Sequence, residues 1–438
     1  MSDFTLWGAG AEYTWWNIAV GAIVNSACAI LGCFLVLRRM SMLGDAISHA
    51  VLPGIVLAYL FAGRDAVVML FLGAMLVGVL TALLVQTLHR FGGVAEDAGL
   101  GIVFTSLFSI GVVLVSNYAS RAHIDVNCVL FGDMDFVSLD RFYWGPFDVP
   151  RSLPKMLLAL GAVIAFVTVF WKELKIASFD PALATAMGIS AIAVHYLLMG
   201  MTAVVTVAAF EAVGAVICVA MLIVPPATAY LLTDRLSTMT LLAVGTAVLS
   251  SFAGCIIAPL TGTNIAGMMA VVAGGQFALA VALAPRYGLV SKAWRAWRLS
   301  ARIAAEDFTA LLYRADESTK PDEPRGLRTA DLLAAVGRGF TGRMALRKLI
   351  NSGVVEPSGE GRVVLSVAGR RDAESLVRSH RLWEAYLVEH FQLPLDHLHE
   401  PAEHIEHFIG PELQQQLAES LPKADTDPHG REIPPQSK

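Results

Sequence analysis

Long apolar stretches recur along the first two thirds of this chain, and that repetition constrains the fold more than any other feature. Crossing a bilayer as a helix takes about 20 residues. Runs of that kind lie near 15–37, 42–62, 66–88, 98–117, 153–171, 191–210, 212–232, 237–258 and 264–284. The pair over 191–232 is one nearly unbroken apolar run, so eight and nine spans both stand open. Inside lipid every backbone polar group must be satisfied within its own segment, which makes these runs helices. Composition agrees. Of 438 residues, 55% are hydrophobic and 16% charged, against about a quarter charged in soluble chains.

The net charge of −5 averages three unlike regions. Residues 1–290 carry 12 Lys/Arg and 15 Asp/Glu, residues 291–371 carry 15 against 9, and residues 372–438 carry 5 against 13. The last region also holds seven of the eleven histidines. A membrane module is therefore followed by a basic soluble segment and an acidic, histidine-rich one. Cys28, Cys33, Cys128, Cys218 and Cys255 show no zinc-ribbon or redox spacing and read as inert thiols. No Lys or Arg precedes Arg38, so the first run reads as a retained span and not a signal peptide. No Walker-type glycine loop and no HExxH occur, which argues against an enzyme working through such sites and against ATP bound by this chain.

Basic residues in short loops set orientation. Placing Arg38, Arg39, Arg90, Lys172, Lys175, Arg235 and Arg286 in the cytoplasm puts the N-terminus outside and the tail inside. The loop 117–152 then faces outward with Asp125, Asp133, Asp135, Asp140 and Asp148. These acids either gather cations or simply solvate the loop.

Ionisable residues within spans are costly and need a reason. Asp45 and His49 are four apart, which sets a carboxylate and an imidazole on one helical face. That pair suits a divalent transition metal, or serves as a hydrogen-bonded lock between helices. Pro53-Gly54 follow, where a kink would let a ligand approach. Glu211 lies deep in the longest apolar run, as a ligand, a gate or the polar tip of an outer hairpin. His195 sits near the cytoplasmic end of its helix and reads as interfacial.

The stretch Leu37–Gly54 around Asp45 and His49 resembles the signature of metal-type ABC transporter permeases, which import manganese, zinc or iron(II). Ser178–Ile189, Phe210-Glu-Ala-Val-Gly and Ala220–Ala229 resemble the same family. The resemblance covers about residues 10–290 and implies metal ligation by Asp45 and His49. It also implies that Phe179, Asp180, Pro181 and Gly188 belong to a short cytoplasmic helix docking on an ATPase subunit. The implied partners are that ATPase, an extracytoplasmic metal-binding protein and a second permease subunit, identical or not. The implied location is a bacterial inner membrane, crossed several times.

Beyond the spans, 291–303 is basic with Trp294 and Trp297, as a flank lying on an anionic membrane surface would be. Periodicity predicts helices over 329–336 and 341–352, then two short strands within 354–365, a winged-helix pattern. Arg338, Arg343, Arg347 and Lys348 make the second helix basic, either for DNA phosphates or as a solvated face. His380 and Glu384 are four apart, and His399, Glu403, Glu406 and His407 form one helical stripe. Six nitrogen and oxygen donors suit Mn²⁺ or Fe²⁺ better than a thiolate site would, while an incidental acidic stripe is the plain alternative.

Residues 303–435 resemble the iron-dependent repressor family, through Leu365–Arg371, His380–Glu384, Leu398–His407 and Asp427–Pro434. The resemblance implies ligand roles for His380, Glu384, His399, Glu403, Glu406 and His407, with Asp307 supplied by the first helix. Glu403 stands where iron-type members use sulfur, which leans the set toward manganese over iron or zinc. Ala310 replaces a second acid of manganese-type members. The expected architecture is an all-α polytopic membrane domain over 1–290 and a basic linker over 291–303. A winged helix over 304–368 and a helical metal-binding and dimerisation domain over 369–438 follow in the cytoplasm.

Overall fold

The computed structural model describes residues 11–40, 42–62, 67–118, 134, 137–138, 141–144, 147–319, 324–337, 339–391, 393–394, 397–421 and 425–436. The chain divides into two compact units, Met1–Ser291 and Lys292–Lys438.

The first unit is helical. Helix α1 (Ala11–Leu37) packs against α9 (Ala191–Leu232) and α10 (Leu236–Thr261), with α11 (Ile265–Leu283) completing that side. On the other side lie α2 (Leu43–Ala50), α3 (Leu52–Ala62), α4 (Val67–Gly92), α5 (Glu96–Tyr118) and α6 (Ser152–Val169). The core runs through most of the helices; at its centre Val24, Cys28, Leu31 and Phe34 of α1 cluster with Val213, Ile217, Met221 and Leu222 of α9. Small side chains at helix contacts allow the close approach that membrane packing relies on. Eight helices among the described residues are long and apolar enough to span a membrane, and a ninth apolar helix, Ile217–Leu232, is shorter. The run over 191–232 breaks at Gly214, whose φ of +77° with ψ of 171° lies outside helical space. Only glycine tolerates that conformation without strain.

The expected 42–62 span is present as the apolar stretch Leu43–Ala62, interrupted only at Val51 between α2 and α3. At Gly54 a Cβ would stand 2.3 Å from the carbonyl oxygen of Gly73, so this glycine lets α3 and α4 touch. Between α5 and α6 lies an antiparallel hairpin, β1 (Arg141–Trp144) with β2 (Phe147–Pro150). Arg141 ties it to α1 through a 2.8 Å ion pair with Glu12. Asp125, Asp133, Asp135 and Asp140, and the side chain of Asp148, lie outside the described residues.

In the second unit, the basic segment is no linker. One helix, α12, runs unbroken from Leu289 to Ser318, because no Gly or Pro interrupts those 30 residues. Helices α13 (Thr329–Val336) and α14 (Phe340–Asn351) follow, then strands β4 (Val355–Pro357) and β5 (Arg362–Leu365). A two-residue strand, β3 (Leu327–Arg328), adds to β5 on its far side, giving the order β3-β5-β4. Phe308, Leu312, Leu332, Ala345, Leu346, Val355 and Val363 form the core of this part. Helix α15 (Val367–Phe391) then carries α16 (His399–Ile405), a 3₁₀ turn Glu406–Phe408 and α17 (Pro411–Ser420).

Candidate metal sites

In the membrane unit, α2 presents Asp45 and His49 on one face, Nε2 3.6 Å from Oδ1 and both side chains partly exposed. That distance is too long for a hydrogen bond. Both residues belong to α2, so the pair does not lock two helices together. The His49 ring lies 6.0 Å from the rings of Phe104 and Phe108 on α5, which fix its position. Glu211 lies in α9 three residues before the break at Gly214, and its side chain is outside the described residues. His195 is more than interfacial: its Nε2 is 2.8 Å from Gln86 Oε1, and its Nδ1 is 3.5 Å from Arg38.

Arg38 also donates to Ser178 Oγ at 3.0 Å, at the end of α7 (Trp171–Phe179). Asp180 follows as an N-cap, its carboxylate accepting from Leu183 N–H at 2.9 Å, with Pro181 opening the six-residue helix α8 (Pro181–Ala186). This combination starts a helix sharply. Gly188, with φ +82°, ends it. Ala184 is buried beneath, while Phe179, Leu183 and Met187 are 60%, 50% and 60% exposed. A short, rigidly capped helix thus carries an unpartnered apolar face.

The tail brings its donors together in two clusters, not one stripe. Helix α16 stops at Ile405 and the chain tightens into a 3₁₀ turn, so Glu406 and His407 leave the line of His399 and Glu403. One cluster is His380, Glu384 and His399, the other Asp307, Glu406 and His407, and within each the donor atoms lie within 4.8 Å of one another. In the first, Glu384 Oε1 is 3.1 Å from both His380 Nε2 and His399 Nδ1. Glu403 is peripheral, 3.3 Å from His399 Nε2 and half exposed. In the second, His407 Nε2 is 3.2 Å from Asp307. Glu406 stands between the clusters, 2.5 Å from His380 Nδ1 and 3.5 Å from Arg314.

Two neighbours escaped the sequence reading. Glu306 accepts from His407 Nδ1 at 2.8 Å and is itself held by Arg302 at 2.8 Å. This leaves Nε2 facing Asp307, the carboxylate–imidazole arrangement that orients a metal-binding histidine. Its signal was present, since Glu306 adjoins Asp307, but only the packing of the 3₁₀ turn against α12 gives it a role. His429 Nε2 lies 3.9 Å from Glu384, carried there by a turn in which Asp427 accepts from the amides of His429 and Arg431.

Protonation follows from this geometry. Burial opposes a charge on His407, but hydrogen bonds to Asp307 and Glu306 prevail and raise it to about 9. Burial likewise opposes Glu384, yet His380 and His399 hold it down at about 2. Against the cost of its burial, His380 is raised by Glu384 and Glu406. Both clusters offer nitrogen and oxygen donors only, a set that fits Mn²⁺, Fe²⁺ or Zn²⁺.

On α14, Gly342, Ala345, Leu346 and Leu349 face the core, leaving Arg343, Arg347 and Lys348 exposed on the opposite side. Arg338 lies outside the described residues.

A family model described as "ABC 3 transport family" matches residues 11–284. Another, "Iron dependent repressor, metal binding and dimerisation domain", matches residues 366–435. The chain is 45% identical over 281 residues to the manganese transport system membrane protein MntD of Bacillus subtilis (strain 168), covering 64% of this chain and 95% of that protein. It is 41% identical over 275 residues to the zinc transport system membrane protein TroD of Treponema pallidum (strain Nichols), covering 63% of this chain and 75% of that one. Among solved structures, PsaBC from Streptococcus pneumoniae in complex with Fab matches with a TM-score of 0.53 at 29% identity, over 63% of this chain and 93% of that one.

Proposed function

The chain belongs to the ABC 3 transport family, a multi-pass membrane protein ending in an iron-dependent-repressor metal-binding domain, and on that premise we propose that it is the permease subunit of a divalent-metal importer regulated by its own tail. The transported ion is manganese in this reading. The 45% identity to a manganese transport membrane protein supports it. Asp45 and His49 line the path, and Glu211 joins them. The side chains at 45 and 49 are partly exposed, as ligands to a passing cation must be.

Energy comes from a separate ATPase subunit docking on the apolar face of α8, with Phe179, Asp180, Pro181 and Gly188 shaping that helix. Metal arrives on an extracytoplasmic binding protein, and a second permease subunit completes the pathway. The basic loops support a cytoplasmic tail, under a bacterial inner membrane. The domain boundaries of 1–290, 304–368 and 369–438 remain our reading, with 291–303 now the first half of α12.

The tail senses cytosolic metal. Asp307, Glu406 and His407 hold one ion, and His380, Glu384 and His399 hold another, with Glu403 beside His399. Bound Mn²⁺ or Fe²⁺ supplies a divalent charge among carboxylates. Glu306 keeps His407 aimed, and Glu406 links the two clusters through His380. Filling them orders the 3₁₀ turn against α12 and lowers import. The observation that carries this is the pair of convergent donor clusters fixed to a metal permease.

The test is ⁵⁴Mn²⁺ uptake by cells preloaded with manganese. Asp45→Ala abolishes uptake, while His407→Ala with Glu406→Gln leaves uptake intact but insensitive to preloading. Equal sensitivity in the double variant would sink the feedback reading.

The helix–helix–hairpin order with a cationic α14 also supports a second reading, a winged helix that binds DNA from the membrane. Salt-dependent, metal-dependent retention of a promoter fragment by the full chain would favour it.

A further inference from the structure

A groove of 840 Å³ runs between the first half of α12 and the exposed flank of α14. Its floor is apolar, with Trp297, Leu299, Met344 and Leu349 among its walls. Trp294 and Trp297 pack together at its open end, ring centroids 5.0 Å apart, and Trp294 is 60% exposed. Around the rim stand Arg295, Arg298, Arg302 and Lys348. One acid, Glu306, lines the groove, and it is already bound by Arg302 and His407. Trp294, the first residue along the chain to line the groove, stands eleven residues beyond Leu283, where the last span ends.

We infer that this groove is a binding site for an anionic phospholipid of the adjoining leaflet. The acyl chain lies against the indoles, Leu299 and Met344, and the headgroup phosphate sits among Arg298, Arg302 and Lys348. Three features select this ligand. The trough is apolar while its rim is cationic, which matches an amphiphile with an anionic head. Indole and guanidinium side chains together are suited to the boundary between hydrocarbon and headgroup, with an apolar body and a polar tip. The site follows a span closely enough in the chain for the bilayer to supply the ligand, where basic residues attract anionic lipid.

Duplex DNA is the competing occupant, because Lys348 shares α14 with Arg343 and Arg347. Phosphate recognition on DNA gains nothing from two tilted, paired indoles and an apolar floor. The lipid site therefore uses the α12-facing side of α14, and Arg343 and Arg347 lie outside it. Arg302 touches both worlds, since it faces the groove and also holds Glu306 behind His407. It is left intact in the test for that reason.

The full-length permease in detergent is incubated with phosphatidylglycerol carrying a photoactivatable acyl chain, or with the matching phosphatidylcholine. Cross-linked peptides are then located by mass spectrometry. Phosphatidylglycerol labels 294–302 and 344–349 at least tenfold above phosphatidylcholine. Losing one cation near a membrane surface costs about fivefold in binding. Arg298→Gln with Lys348→Gln thus cuts labelling about 25-fold, the charge-reversing Arg298→Glu with Lys348→Glu cuts it further, and Arg343→Glu with Arg347→Glu leaves it unchanged. Equal labelling by the two lipids, or undiminished labelling in both groove variants, overturns the inference. So does loss of the label on adding a 30-base-pair duplex, which would make the surface a nucleic-acid site.

Discussion

Replacing Glu306 with glutamine separates two effects that the Asp307, Glu406 and His407 cluster combines. In the wild type, His407 faces Asp307 and Glu306 of α12 and neighbours Glu406, and its titration is raised to about 9, hydrogen bonds to the two acids outweighing burial. A metal must displace that proton, because only the neutral ring ligates. At pH 7 the ring lies about two pH units below its titration, so proton competition weakens apparent affinity about a hundredfold. Affinity therefore rises about tenfold per pH unit from 7 to 9 and levels above that.

Glu306→Gln removes one of the two acids that hold the proton, which lowers the titration of His407 and recovers affinity near neutrality. It also removes the carboxylate that aims the ring, and losses of that kind run to about 10–100-fold at any pH. The two changes oppose each other at pH 7 and not at pH 9.5. The variant is thus close to wild type at pH 7 and clearly weaker at pH 9.5. Free Mn²⁺ measured by electron paramagnetic resonance in titrations of the full-length protein, kept anaerobic, reads both affinities. A wild-type affinity flat from pH 7 to 9, or a variant deficit equal at both pH values, would refute the reasoning.

Other expectations follow from single contacts. Asp180→Ala removes the cap on Leu183 and costs about 1 kcal/mol of local helix stability, whereas Asp180→Asn still caps; ATPase co-purification and metal uptake should fall in the first and persist in the second. Gly214→Ala places a Cβ on a backbone with φ +77° and ψ 171°, a strain of about 1–3 kcal/mol, read as a lowered thermal midpoint in detergent. Arg381 is buried, paired with Glu317 at 2.5 Å and 3.6 Å from the buried Asp427. Arg381→Met leaves those acids uncompensated, at a cost of about 3–5 kcal/mol. Limited proteolysis should then cut within 425–433 faster in the variant than in the wild type.

Much of the architecture is legible from the residues alone, because bilayer thickness and the need to satisfy backbone groups translate directly into run length. The expected spans coincide with the helices to within a few residues, including the contested 191–232 run, where Gly214 supplies the division. The paired helices at 329–336 and 340–351 and the hairpin after them were likewise visible in local periodicity and turn residues. Local signals failed where continuity mattered. The basic, tryptophan-bearing run over 291–303 reads as a linker, yet charge does not end a helix, and α12 runs through it.

The sites divide in the same way. Spacing singled out Asp45 with His49, the cap at Asp180, and the donors at 380, 384, 399, 403, 406 and 407, since helical geometry fixes which side chains share a face; Asp307 came only from the resemblance to the repressor family. Which donors meet was decided only by the tertiary structure. A regular helix would have kept His399, Glu403, Glu406 and His407 in line. The tightening after Ile405 turns Glu406 toward His380 and His407 toward α12, so one apparent stripe becomes two clusters and Glu306 becomes a partner. Periodicity reports neighbours along one helix. The meeting of residues 101 positions apart depends on how buried apolar faces pack, and no local pattern encodes that distance.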